Sequence, residues 1–298
     1  KHSFYNLAQV LWEQGDEVII PSPYWVSFPE IVRLAGATPV LVPGCEKTDY
    51  KVTVEQLEEV VNANSRALLI NSPCNPTGSA YTKKELEALA EFALRHKLLI
   101  ISDEIYEKIV FDGFQHTSIA SLSEEVKRNC VLINGVSKSY AMTGWRIGYL
   151  VAEPEITAAV TKLQSHSTSN PPSISQVASV EALLGPQDEV DRMVAEFQKR
   201  RDLVIERLRI IPGVTCFKPV GTFYSFPNFS GCYGKTYSGK VIDGSLALGE
   251  FLLNEFKVAL VPGIAFGADQ NMRFSFATSV DNINRGLDRI SEAIGSLK

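Results

Sequence analysis

Short apolar runs alternate with amphipathic segments through the first half of the chain. The runs DEVIIP (16–21), TPVLVP (38–43), RALLIN (66–71), KLLIIS (97–102), CVLING (130–135) and RIGYLVA (146–152) are rich in Val, Ile and Leu. Most are bounded by Gly, Pro, Asn or Asp, which is the pattern of strands. Because the runs are nearly continuous rather than alternating, they predict strands covered on both faces. Two intervening segments carry helix start signals. TVEQLEEVVNA (53–63) opens with Thr53 and Gln56, and TKKELEALAEFALRHK (82–97) with Thr82 and Glu85, both in capping-box spacing. In the second, Leu86, Leu89, Ala90 and Ala93 form a core-facing stripe, while Lys83, Lys84, Glu87 and Glu91 face water. Strand and helix repeated in this way predict an α/β domain with a mainly parallel sheet.

After TSNPPSIS (168–175) the pattern changes. A long charged helix, DEVDRMVAEFQKRRDLVIERLR (188–209), precedes GVTCFKPVGTFYSFPNF (213–229), whose two strand-like halves around Pro219 to Gly221 predict a hairpin. Helices and antiparallel strands are expected to the end of the chain. The division this predicts is a large domain over 1–184 and a smaller α+β domain over 185–298. In such sheets ligands gather beyond the carboxyl ends of the strands and between domains.

Composition narrows the functional classes. The 298 residues are 45% hydrophobic and 21% charged, the profile of a globular protein with a sizeable core. With 29 basic against 34 acidic residues the net charge is −5 and no basic cluster stands out, which argues against nucleic acid and anionic membranes as partners. The longest apolar runs are far too short to span a bilayer and nothing at the start reads as a signal peptide, so a cytoplasmic protein is expected. Five cysteines without a CxxC pair are read as free thiols, and four histidines without ligand spacing give no metal site. The NFS sequon at Asn228 is read as coincidental. The chain begins at Lys1, without Met and inside what reads as a helix, which predicts that a front segment is missing.

Four polar residues follow directly on predicted strands. Asn75 lies in NSPCNPTG after RALLI, Asp103 and Tyr106 in SDEIYE after KLLII, and Lys138 in NGVSKSY after CVLIN. They should converge on one rim of the sheet. Taken singly each has an ordinary structural reading: Asn75 starts a turn, Asp103 caps a helix, Tyr106 is a core aromatic and Lys138 a solvated loop lysine. Arg146, eight residues after Lys138, changes that balance.

With Arg146 the set resembles the fold-type I, pyridoxal-phosphate-dependent aminotransferases, and most closely their aspartate (aspartate/prephenate) branch. The similarity is carried, in order, by SPYWVSFPE, NSPCNPTG, SDEIYE, NGVSKSYAMTGWRIGY, VPGIAFG and RFSFATS, which cover nearly the whole chain. It implies a mainly parallel large domain with a smaller C-terminal α+β domain, and pyridoxal 5′-phosphate as cofactor. It further implies that Lys138 holds the cofactor as a Schiff base and moves the Cα proton. Asp103 would pair with the pyridine nitrogen, while Tyr106 and Asn75 would donate to the ring's phenolate oxygen. Trp25 would stack on the ring. Arg146 and Ser137, with backbone amides at the start of the helix that begins at Lys1, would hold the phosphate. Arg273, in MRFSFATS, would bind the substrate α-carboxylate, alongside Trp25 and Asn75 at the substrate.

The implied activity moves an amino group between an amino acid, aspartate by this branch, and a 2-oxo acid such as 2-oxoglutarate. The implied assembly is a homodimer with active sites at the subunit interface, in which a partner tyrosine from the front segment reaches the phosphate. Gln9 stands on the first helix where some relatives recruit a basic residue. The alternatives are an aromatic or prephenate aminotransferase or a C–S lyase of the same fold, and, outside enzymes, a pyridoxal-phosphate-sensing regulator domain, which would need a DNA-binding segment.

Overall fold

The computed structural model describes all of residues 1–298. Six strands form its principal sheet: β1 (Glu17–Ser22), β2 (Thr38–Pro43), β3 (Ser65–Asn71), β4 (Leu99–Asp103), β5 (Cys130–Gly135) and β6 (Gly148–Val151). Their order across the sheet is β2-β1-β3-β4-β5-β6. All neighbours are parallel except β5 and β6, which are antiparallel.

The helices of this part of the chain are α1 (His2–Leu11), α2 (Ser27–Leu34), α3 (Val54–Glu58), α4 (Lys83–Arg95), α5 (Glu124–Arg128), α6 (Pro154–Ser165) and α7 (Ser173–Leu184). They cover both faces of the sheet, and the period-2 alternation of each strand divides its residues between two cores. Ile19, Leu68, Ile70 and Ile100 pack with Leu86, Leu89 and Phe92 of α4. Val18, Ile20, Leu69, Ile101 and Val131 pack with Phe4 and Leu7 of α1 and Phe28 and Ile31 of α2. Each such side chain, fully buried, contributes about 1.5–3 kcal/mol. The expectation of strands covered on both faces holds for β1, β3, β4 and β5 and fails at the edges. In β2 only Val42 is buried and Leu41 stays 39% exposed, and no residue of β6 is buried.

Both capping boxes form: Gln56 N donates to Thr53 Oγ1 and Glu85 N to Thr82 Oγ1. The first helix is shorter than its sequence suggested, ending at Glu58 instead of running to Ala63. Val60 and Val61 are stiff β-branched residues, and beyond them Asn62 Oδ1 accepts from Asn64 N while Ser65 Oγ accepts from Asn62 N. These local bonds replace the helical ladder.

The remaining chain contains α8 (Asp188–Arg209), β7 (Tyr224–Ser225), β8 (Thr236–Tyr237), β9 (Lys240–Val241), α9 (Ser245–Phe256), β10 (Val261–Pro262), β11 (Met272–Ser275) and α10 (Val280–Gly295). β10, β11 and β7 make a small antiparallel sheet. The two halves of the hairpin predicted over 213–229 pair through one antiparallel bridge, Thr215 with Asn228, but the chain between them does not close into a tight turn at Pro219–Gly221. Val220 N and Gly221 N instead donate to Gly78 O, and Thr222 N to Ile109 O, so the expected turn docks on the loops that follow β3 and β4. Gly78 has φ +69°, and a Cβ there would collide with Pro219 and the Gly221 carbonyl.

The C-terminal core joins Val204, Leu208, Phe251, Met272 and Leu287 to Tyr106, Ile109 and Phe111. Beside it Arg201, wholly buried, pairs with Asp112 through both terminal nitrogens at 2.9 Å and donates to Pro219 O. The five cysteines are free. No helix is long and apolar enough to cross a membrane.

Candidate active site

β3, β4 and β5 end side by side, and the loops leaving their carboxyl ends carry the polar residues. Asn71, the last residue of β3, lies opposite Asp103, the last of β4. Its side chain stitches the two loops together: Nδ2 donates to Asp103 O at 3.1 Å, and Oδ1 accepts from Asn75 N at 2.9 Å. Asp103 Oδ1 accepts from Ile105 N at 3.1 Å, a local turn rather than the cap of an α-helix. The result is a cavity of about 510 Å³. Asn75, Asp103, Tyr106, Ser137, Lys138 and Arg146 line it, and so do Lys1, Trp25 and Arg273, so every residue given a cofactor or substrate role from the sequence borders one space.

Its charge is unbalanced. Lys138, Arg146 and Arg273 face it, yet none of them pairs with a carboxylate of the protein. Arg273 Nη1 donates to Asn75 Oδ1 at 2.9 Å, while its Nε is buried without a partner. Burial, then the neighbouring Arg273 and Arg146 cations, hold the Lys138 amine below the usual lysine range, against the opposing pull of Asp103. Burial pushes Asp103 up to about 6, against the bond from Ile105 N and the nearby cations. Burial and then Tyr224 raise the Tyr106 hydroxyl well above its usual value.

The remaining walls are partly aromatic. Trp25 packs edge-on to Phe28 at 5.2 Å, and Lys1 Nζ sits 4.9 Å above its indole. Arg146 has a left-handed backbone, φ 56°, and donates from Nη1 to Thr143 O at 2.6 Å. Tyr224, Asn71, Asn134 and Gln164 also line the cavity and escaped the sequence reading. Tyr224 was hidden inside the supposed hairpin. The strand-end position of Asn71, immediately before the NSPCNPTG loop, was the available signal for that residue. Gln9 is not among the lining residues; it is exposed and donates to Leu34 O.

These groups fit pyridoxal phosphate. A primary amine of lowered basicity suits covalent attachment to an aldehyde, a buried carboxyl suits a ring nitrogen, and two hydrogen-bonding side chains suit a phenolate oxygen. Two guanidiniums without internal counterions leave one for a phosphate and one for a carboxylate.

The comparisons with known proteins agree. Residues 2–290 match the family model described as aminotransferase class I and II. The chain is 51% identical over 296 residues to an aspartate aminotransferase of Geobacillus stearothermophilus, covering 97% of this chain and 73% of that protein. It is 46% identical over 299 residues to a probable aspartate/prephenate aminotransferase of Rickettsia bellii, covering 100% of this chain and 75% of the other. The crystal structure of the aspartate aminotransferase from Rhizobium meliloti superimposes with a TM-score of 0.96 at 42% identity, covering 100% of this chain and 75% of that one. The chain thus spans about three-quarters of the length of these relatives, and it belongs to the class I and II aminotransferases, pyridoxal-phosphate-dependent enzymes of fold type I.

Proposed function

We propose that this aminotransferase takes its amino group from aspartate and delivers it to 2-oxoglutarate. The observation that carries this reading is the group of three cations, Lys138, Arg146 and Arg273, that line one cavity with a single buried carboxyl, Asp103, and have no ion-pair partners. Such a site suits a phosphate and an α-carboxylate, the two anions that the cofactor and any amino-acid donor bring, and the choice of aspartate among donors rests on the relatives. The two relatives named as aspartate and aspartate/prephenate aminotransferases support the choice of donor. Transamination of prephenate, in the name of the Rickettsia bellii relative, is the second reading.

Pyridoxal phosphate, when bound, supplies an electron-poor ring that accepts the electron pair left as the Cα proton departs. Lys138 would provide the covalent attachment through Nζ, and the same amine, when free, would take the Cα proton of the substrate. Its lowered basicity keeps a larger fraction neutral and able to do so. Asp103 would hold a proton on the ring nitrogen, Tyr106 and Asn75 would donate to the phenolate oxygen, and Trp25 would pack against the ring. Arg146 and Ser137, with Lys1 beside them in the cavity wall, would bind the phosphate. Arg273 receives the α-carboxylate through a planar fork that the Asn75 bond holds in place.

We further propose a large domain over 1–184 and a small one over 185–298, a cytoplasmic location, and a homodimer. Support for the dimer is the exposed apolar face of α7, where Ile174 is 75%, Val177 71%, Val180 55% and Leu184 83% exposed. The test of the function is a panel of amino donors with 2-oxoglutarate and oxaloacetate as acceptors. Aspartate should give the highest kcat/KM with 2-oxoglutarate. A preference for alanine or phenylalanine would overturn the assignment of donor.

A further inference from the structure

Tyr224 is used by none of the roles above, yet it touches two of the groups that carry them. Its hydroxyl lies 3.5 Å from that of Tyr106, at the long end of hydrogen-bond distance. Its ring lies 4.4 Å under the Arg273 guanidinium, which Phe266 also contacts at 4.9 Å. The residue is 8% exposed, and its backbone is fixed from two sides. β7 pairs with β11, setting Tyr224 opposite Ser275, two residues beyond Arg273. On the other side Thr222 Oγ1 accepts from Tyr224 N at 3.1 Å. Thr222 is wholly buried with φ +64°, a conformation that a β-branched residue adopts only when its surroundings impose it. Those surroundings are the loop after β4, where Ile109 O accepts from Thr222 N, three residues past Tyr106.

We propose that Tyr224 is a positioning residue with two separable contacts: its π face holds the Arg273 guanidinium in the plane that receives a carboxylate, and its hydroxyl orients that of Tyr106. The first contact is a cation–π pair between a buried ring and a half-buried guanidinium, which fixes the fork without using its N–H donors and leaves them for the ligand. In this structure the Tyr106 hydroxyl donates to that of Tyr224; the second contact works when the Tyr224 hydroxyl turns and donates instead, which frees the Tyr106 proton to point into the cavity. The inference rests on the roles proposed above for Tyr106 and Arg273.

Two variants separate the contacts. Tyr224→Phe keeps the ring and removes the hydroxyl, whereas Tyr224→Met keeps most of the volume and removes both. The readouts are the dissociation constant of succinate, a dicarboxylate with no amino group to react, and the pH midpoint of the visible absorbance of bound pyridoxal phosphate. Tyr224, Asp103 and Arg273 are the titratable and charged groups that act on Tyr106. For Tyr224→Phe, succinate affinity should stay within about twofold of the parent while the midpoint moves upward, since a less well oriented Tyr106 stabilises the phenolate less. For Tyr224→Met, succinate binding should weaken about tenfold as well. An unmoved midpoint in Tyr224→Phe overturns the hydroxyl contact, and unchanged succinate affinity in Tyr224→Met overturns the ring contact. If Tyr224→Met does not fold, the Phe variant alone still decides the first. Arg273→Leu separates this inference from the one beneath it: if that variant binds succinate normally, the role of Arg273 itself is wrong, and Tyr224 is at fault only if Arg273→Leu weakens binding and Tyr224→Met does not.

Discussion

Arg273, on β11 of the small sheet, donates from Nη1 to Oδ1 of Asn75, 2.9 Å away on the loop that leaves β3 of the large one. Asn75 is 6% exposed, and no carboxylate competes for the guanidinium. The bond thus joins two distant parts of the chain at a cation that still has donors to offer. A group built in this way should recognise what all amino acids share.

Arg273→Leu is therefore expected to lower kcat/KM for aspartate and alanine by similar factors, on the order of 10²–10³, the loss of a bidentate charge-assisted contact. Steady-state kinetics with both donors checks this. A loss confined to aspartate would mean that Arg273 reads the side chain.

Asp103 allows a test without substrate. Burial raises it from 3.8 to about 6, so the folded chain without cofactor keeps a proton that the unfolded chain has already released. The stability this contributes is complete below the unfolded value and is lost as pH rises through the folded one. Asp103→Asn removes the cost of ionising a buried group. In cofactor-free protein the variant should be more stable than the parent above pH 6, by on the order of 1–3 kcal/mol, and the gap should close toward pH 4. Urea unfolding across that range measures it, and a variant less stable than the parent at pH 7 would contradict it. In the loaded enzyme the same change should slow Cα deprotonation by about 10²–10³, because an amide cannot supply the charge.

Much of this was legible in the sequence, for identifiable reasons. Continuous apolar runs mark the central strands because helices cover them on both sides, and both capping boxes formed because their bonds are local. The edge strands β2 and β6 carry the same kind of run without that cover, so composition could not distinguish them. The hairpin expected over 213–229 survives only as the antiparallel Thr215–Asn228 bridge, because the stretch around Pro219 finds its partners in Gly78 and Ile109, more than a hundred residues away, and local pattern carries no such information. Tyr224 was lost with it. The rim at the strand ends was easier to read: Asn75, Asp103 and Lys138 each follow an apolar run directly, and parallel strands bring such positions together.

The apolar face of α7 makes a further prediction. A second copy of the chain seated there would cover Ile174, Val177, Val180 and Leu184. Val177→Lys should shift the protein from dimer to monomer in light scattering while leaving its far-UV circular dichroism unchanged. A parent chain that runs as a monomer at every concentration would remove the proposal.

The central claim is that Lys138 carries the cofactor. Protein reconstituted with pyridoxal phosphate, reduced with borohydride, digested and mapped by mass spectrometry should bear the pyridoxyl group on Lys138 Nζ and on no other lysine. Lys138→Ala should lose both the label and transamination while melting at the temperature of the parent. A label on a different lysine, or near-parental turnover in Lys138→Ala, would contradict the account.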